Sequence, residues 1–170
     1  MKKLVCIIFA LILFNACQKK EPQRYFSDSA EIESSKKLIS YFANNNYDGI
    51  KEIYSDSVKI YDNSVKALTL SDMINMMKEN AEMSEYMKIK DSAEYEMVLT
   101  KENETWVNCW YTVIGKFKGL DKEMVIPCHS TFQFIDGKIV KEHSYYNTLP
   151  VYQEMEKLRD TTAVDTMATN

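Results

Sequence analysis

The stretch Phe132-Gln133-Phe134-Ile135-Asp136-Gly137-Lys138-Ile139 decides how this chain is read. Asp-Gly is a dipeptide favoured in two-residue β-hairpins, because both central positions of that turn need positive φ. Apolar residues alternate into the turn from both sides, so 123–135 and 138–147 read as paired strands. Two more strand-like segments come before them, 86–99 and 105–117. Lys101 to Glu104 forms a polar break, and Gly119 marks the next turn. Further upstream the apolar period lengthens to that of a helix. Asp28, with Glu31 three residues on, resembles a capping box, and Ile32, Leu38, Ile39 and Phe42 form the stripe of a first helix ended by Asn44, Asn45 and Asn46. A short second helix starts at Asp48 with Ile50, Ile53 and Tyr54 on one side. A strand follows over 58–62, turned by Asn63 and Ser64. A third helix, capped by Ser71, carries Leu70, Met73, Ile74, Met77 and Ala81, and Pro150 opens a last one through Tyr152, Met155 and Leu158. Helices followed by a meander of long strands predict an α+β domain, with helices packed on one face of a curved antiparallel sheet.

The N-terminus carries a different signal. Lys2 and Lys3 precede the apolar run 4–14, and Asn15, Ala16 and Cys17 follow. A run this short is a secretory signal rather than a spanning helix, which needs about 20 residues. A small residue before a cysteine resembles the lipobox of bacterial lipoproteins. That resemblance implies cleavage after Ala16 and a lipid anchor on Cys17, and Gln18 resembles the next residue of lipoproteins sent to an outer membrane. The expected organisation is a signal over 1–16, a tether over 17–27, one domain over 28–159 and a disordered tail over 160–170. Ordinary secretion after Ala16 is the alternative.

Net charge is −4, and no basic run extends beyond Lys19 and Lys20, so the footprint of a nucleic-acid binder is missing. No metal-ligand spacing stands out, and no metal or cofactor is expected. Cys6 leaves with the signal, so Cys109 and Cys128 remain as thiols. A turn at Lys118-Gly119 would set them opposite each other, within reach of a disulfide. The strand from Trp106 is apolar on both faces: Trp106, Trp110 and Ile114 alternate with Val107, Cys109, Tyr111 and Val113. One face can pack on the helices, and the other predicts a homodimer.

The segments Thr105-Trp106-Val107-Asn108-Cys109-Trp110, Ile126-Pro127-Cys128-His129 and 132–139 look like the last strands of SnoaL-like proteins, members of the nuclear transport factor 2-like superfamily. Tyr145-Tyr146-Asn147-Thr148-Leu149-Pro150 is similar to the aromatic-aromatic-Asp stretch before their final helix. The resemblance implies a cone-shaped domain whose sheet wraps a long helix and leaves a pocket at the open end. It implies little about chemistry, because the superfamily holds isomerases, cyclases, dehydratases, epoxide hydrolases and proteins without known activity.

Counted from a regular Asp136-Gly137 turn, Ser130 faces His143, Cys128 faces Tyr145 and Ile126 faces Asn147, all on one side of the sheet. The related final Asp lies at the pocket, so this side is expected to be concave, which places Glu142, Ser144 and Tyr146 on the outer side. One bulge would exchange the two faces. In limonene epoxide hydrolases the positions matching Ser144 and Asn147 are both Asp. Here neither is an acid, and an Asn cannot take up a proton near neutral pH. The expectation is a membrane-anchored lipoprotein that binds a small apolar molecule without catalysing a step. Tyr145 and Asn147 would orient the ligand, while Ile39, Phe42 and Phe132 supply apolar contact. The alternatives are a SnoaL-like isomerase, cyclase or hydrolase with His143 as base, and a non-catalytic envelope scaffold.

Overall fold

The computed structural model describes residues 22–90 and 92–168. The expected signal, the expected lipid-bearing residue Cys17 and the tether as far as residue 21 lie outside the described residues. In chain order the elements are β1 (Tyr25–Phe26), α1 (Ala30–Ala43), α2 (Tyr47–Ile53), β2 (Tyr54–Asp62), α3 (Leu70–Met83), β3 (Ser84–Ile89), β4 (Glu94–Leu99), β5 (Thr105–Phe117), β6 (Met124–Ile135), β7 (Lys138–Tyr146) and α4 (Leu149–Ala168). This is the expected α+β order.

Local chemistry sets the helix starts. Ser29 caps α1 by accepting from the Ile32 amide, and Asn46 caps α2 by accepting from Gly49. At α3 the cap is Thr69 rather than Ser71, in a capping box with Asp72. The terminal helix runs on to Ala168, past the expected limit at 159. The segment from 160 to 170 contains no Gly or Pro to break a helix.

The strands form one curved sheet in the order β1-β4-β5-β6-β7-β2. All pairs are antiparallel except β2 with β7. Two differences from the sequence reading shape it. The segment read as one strand over 86–99 is two, with β3 along the Val113 to Phe117 half of β5 and β4 along the Thr105 to Trp110 half. The supposed tether contributes β1, which pairs with β4 and packs Phe26 on the core.

The decisive departure is in the last hairpin. Asp136 and Gly137 adopt φ of 50° and 75°, as the two-residue turn requires, and Ile135 pairs with Lys138 and Phe134 with Ile139. Gln133 then pairs with Lys141, which leaves Val140 as the extra residue of a β-bulge. Beyond it Phe132 faces Glu142, Ser130 faces Ser144 and Cys128 faces Tyr146. The two faces are therefore exchanged relative to a regular hairpin. Glu142 and Ser144 turn toward the helices and are 4% and 5% exposed, whereas Tyr145 is 55% exposed.

The core lies between the helices and this inner face, built on Ile32, Leu38, Ile39, Ile50, Tyr54, Ile60, Val107, Phe132 and Ile139. It fills the β4 end of the cone. Toward α3, β3 and the start of α4, the sheet and helices diverge.

Candidate active site

Where they diverge, they enclose a cavity of about 990 Å³. Its apolar wall comes from α3, β3 and α4, including Met73, Met76, Met77, Met83, Met87 and Met155. Methionine is flexible and polarisable, which suits it to ligands of irregular outline. The opposite wall is polar and comes from the ends of β2 and β7: Asp62, Asn63, Glu142, Ser144, Tyr146 and Asn147. Among the described residues the only cationic side chain lining the cavity is Lys88.

Strand pairing brings the two carboxyls together. In the parallel β2/β7 pair Ile60 faces Glu142 and Asp62 faces Ser144, and the Asn63 amide donates to the Ser144 carbonyl at 2.8 Å. The Tyr146 hydroxyl donates to Asp62 Oδ2 at 2.8 Å, and Asn63 Nδ2 donates to the Tyr146 carbonyl at 2.9 Å. Burial raises the Asp62 pKa above its ordinary 3.8, and the bond from Tyr146 partly offsets this. Burial, and then the adjacent Asp62, raise the Tyr146 hydroxyl in turn.

Glu142 is buried at the cavity wall. It accepts from the Tyr54 hydroxyl at Oε2 and from Ser144 Oγ, at 2.6 Å, at Oε1. Desolvation dominates and raises its pKa above 4.5, against the lowering effect of those two hydrogen bonds. Ser144 Oγ lies 2.7 Å from Ser130 Oγ, which lies 3.1 Å from the Tyr111 hydroxyl. A carboxyl buried among hydroxyls, with the Asp62 carboxyl as a neighbour that also raises its pKa, is suited to taking up and releasing a proton.

The residues singled out in sequence divide among three places. Phe42 and Asn147 line the cavity, and Asn147 Oδ1 accepts from the Leu149 amide where α4 begins. Ile39 and Phe132 are buried in the core and do not line it. His143 and Tyr145 are on the outer face of the sheet because of the bulge at Val140. There His143 stacks on Tyr61 with ring centroids 4.6 Å apart. Burial, and then Lys141, lower the His143 pKa below 6.5. Cys109 and Cys128 are free thiols. Cys109 faces Ser130 and Cys128 faces Tyr111, two positions out of the expected register.

Sequence reading passed over Asp62, Tyr54, Tyr111 and Tyr146 and put Glu142 on the wrong face. Asp62 was open to notice, as an acid closing a strand just before the Asn63-Ser64 turn. Nothing local marks Val140 as a bulge. Among the described residues no group of three or more His, Cys, Asp or Glu side chains is placed to hold a metal ion.

No family model matches the chain, and no curated protein matches it. Solved structures do. A proposed polyketide cyclase from Xanthomonas campestris aligns with a TM-score of 0.60 at 16% identity, over 74% of this chain and 96% of that one. TerC, co-crystallised with polyporic acid, aligns at 0.59 and 13% over 75% and 99%. A protein with a ketosteroid isomerase-like fold from Catenulispora acidiphila, in complex with trimethylamine, aligns at 0.52 and 13% over 68% and 85%. The fold is nuclear transport factor 2-like. At these identities the likeness carries the fold alone, and the chemistry has to be read from the cavity.

Proposed function

We propose that this protein catalyses a proton-transfer reaction, of the isomerase or cyclase type, on a small uncharged and largely apolar molecule, with Asp62 as the general base. The observation that carries this reading is the pair of carboxyls with raised pKa values, Asp62 and Glu142, set in a polar wall opposite the methionine-rich wall of the cavity. A carboxylate partly removed from water and held by a single phenol is a stronger base than one in solution. With two acids on one wall, the site favours neutral ligands over anionic ones. The solved neighbours support the reading, since one is a proposed polyketide cyclase and others hold small molecules.

The test is the conversion of a β,γ-unsaturated cyclohexenone to its conjugated isomer, followed by ultraviolet absorbance. Asp62→Asn should slow it by about 10²–10⁴-fold, the usual contribution of a positioned base. Full activity in Asp62→Asn, or no turnover by the wild type, would remove the enzyme reading. A binding pocket without turnover is the second reading. It is favoured by Ser144 and Asn147, which line the cavity where limonene epoxide hydrolases keep acids.

The same proposal places the domain on a bacterial envelope through Cys17, supported by the basic, apolar and Ala16-Cys17 sequence before the tether. Fatty-acid labelling that persists in Cys17→Ser would refute the anchor. Pairing of two copies through the outer sheet face completes it, supported by the exposure of Trp110 and Tyr145 there.

A further inference from the structure

A row of hydroxyls crosses three strands inside the cone. Tyr111 on β5, Ser130 on β6 and Ser144 on β7 are linked at 3.1 and 2.7 Å, and Ser144 reaches Glu142 at 2.6 Å. Tyr111, Ser144 and Glu142 line the cavity, whereas Ser130 is 1% exposed and does not. Ser130 and Ser144 are direct cross-strand partners, so the sheet itself holds their spacing. Each hydroxyl both donates and accepts, so the row can run in either direction. With Glu142 ionised every O–H points toward it. With Glu142 protonated the row reverses, and the Tyr111 hydroxyl is free to donate into the cavity.

We propose that Tyr111 is a second catalytic residue, which donates its proton to the carbonyl oxygen of the bound molecule and is resupplied from Glu142 through Ser144 and Ser130. This rests on the reading of the cavity as a proton-transfer site. Asp62 takes the proton from the α-carbon, and the C–H electrons form the new C=C bond. The carbonyl π electrons move onto oxygen, which receives the Tyr111 proton. Ser130 reprotonates Tyr111, Ser144 reprotonates Ser130, and Glu142 supplies Ser144 and becomes a carboxylate. Asp62 then returns its proton to the γ-carbon as the enol proton goes back along the row, so the net change is isomerisation with no co-reactant. Burial of Glu142 favours the protonated form that primes the row. The titratable groups acting on it are Tyr54 and Asp62 from β2, Tyr111 and Cys109 from β5, and Tyr146 from β7.

The experiment uses para-nitrophenol, a planar enolate mimic whose anion is yellow, and titrates the bound dye spectroscopically. A donating Tyr111 stabilises the bound anion. Tyr111→Phe should therefore raise the bound phenol's proton affinity about tenfold and Ser130→Ala about threefold, the scale of one hydrogen bond and of a weakened one. Ser130→Thr should restore the wild-type titration. Dye that binds but titrates alike in wild type and both variants overturns the proposal. So does a shift produced by Ser144→Ala and not by Ser130→Ala, which would put the ligand oxygen on Ser144, and so does a wild type that binds no dye. If Tyr111→Phe does not fold, the Ser130 pair decides. Isomerisation lost in Asp62→Asn with a titration indifferent to Tyr111 and Ser130 leaves the base and removes the relay. The opposite pattern leaves the relay and removes the base.

Discussion

The Tyr54 hydroxyl donates to the Glu142 carboxyl across 88 positions of sequence, joining the start of β2 to the middle of β7 inside the cone. Both groups are shifted upward, chiefly by burial. An acid whose folded pKa lies above its unfolded value favours folding fully below the unfolded value, near 4.5, and loses that contribution as pH rises through the folded value. Glu142→Gln keeps the shape and cannot ionise. Its stability relative to wild type should therefore grow as pH rises from about 4.5, the unfolded glutamate value. Urea denaturation of both proteins across that range checks this, and a constant difference would mean that Glu142 titrates as it does in water.

Deleting Val140 should be mild, because it is the extra residue of the bulge. Without it Gln133 still pairs with Lys141, Phe132 with Glu142 and Ser130 with Ser144, so Glu142 and Ser144 keep the inner face. Inserting one alanine between Lys141 and Glu142 instead moves residues 142 to 146 to the opposite face, driving His143 and Tyr145 inward and Glu142 and Ser144 outward. We expect loss of cooperative thermal unfolding in the insertion, whereas the deletion retains it with at most a modest drop in Tm.

The same bulge marks how far the sequence could be read. Alternation, the Asp136-Gly137 turn and the helical stripes at Ile32 to Phe42 and Leu70 to Ala81 reveal the fold, because periodicity is local and repeated. The parity of the last strand depends on one extra residue, and Val140 has the same β-branched chemistry as Ile139 before it. Asp62 is legible as an acid closing a strand, but its place in a site with Tyr54 is hidden for another reason. They join the site only through the parallel β2/β7 pairing, a contact between distant segments that leaves no local trace.

Phe132 and Phe42 should respond differently to truncation. Phe132 is completely buried between Val107 and Glu142 on neighbouring strands, so Phe132→Ala should cost about 3–5 kcal/mol in chemical denaturation. Phe42 borders the cavity, where space already exists. Phe42→Ala should cost less and should instead change the affinity for apolar dyes.

Both cysteines should be slow to react in the native protein. Burial pushes Cys109 up to about 12 and Cys128 up to about 11, so little thiolate exists near neutral pH. Iodoacetamide should modify Cys128 slowly and Cys109 only after unfolding, and non-reducing mass spectrometry should find two thiols. A disulfide would require β5 and β6 to slide by two residues relative to their present register.

The outer face of the sheet should hold a second copy at neutral pH and release it on acidification. Trp110 is 42% exposed beside His129, with ring centroids 5.1 Å apart, and Trp106, Tyr61 and Tyr145 surround His143. Such a cluster is costly to leave in water, and an interface that covers it would bury more than about 1,000 Å² in total. Both histidines already have lowered pKa values, by burial at His129 and by burial and then Lys141 at His143. A lowered histidine supports the folded state above its unfolded value of 6.5, and that support is lost as pH falls through the folded value. A partner that deepens burial widens the difference, so protonation opposes pairing. Light scattering on residues 22–170 at tens of micromolar should give a dimer at pH near 7.5, a shift toward monomer near pH 5, and monomer at both in Trp110→Lys. A dimer that survives Trp110→Lys would place the contact on another surface.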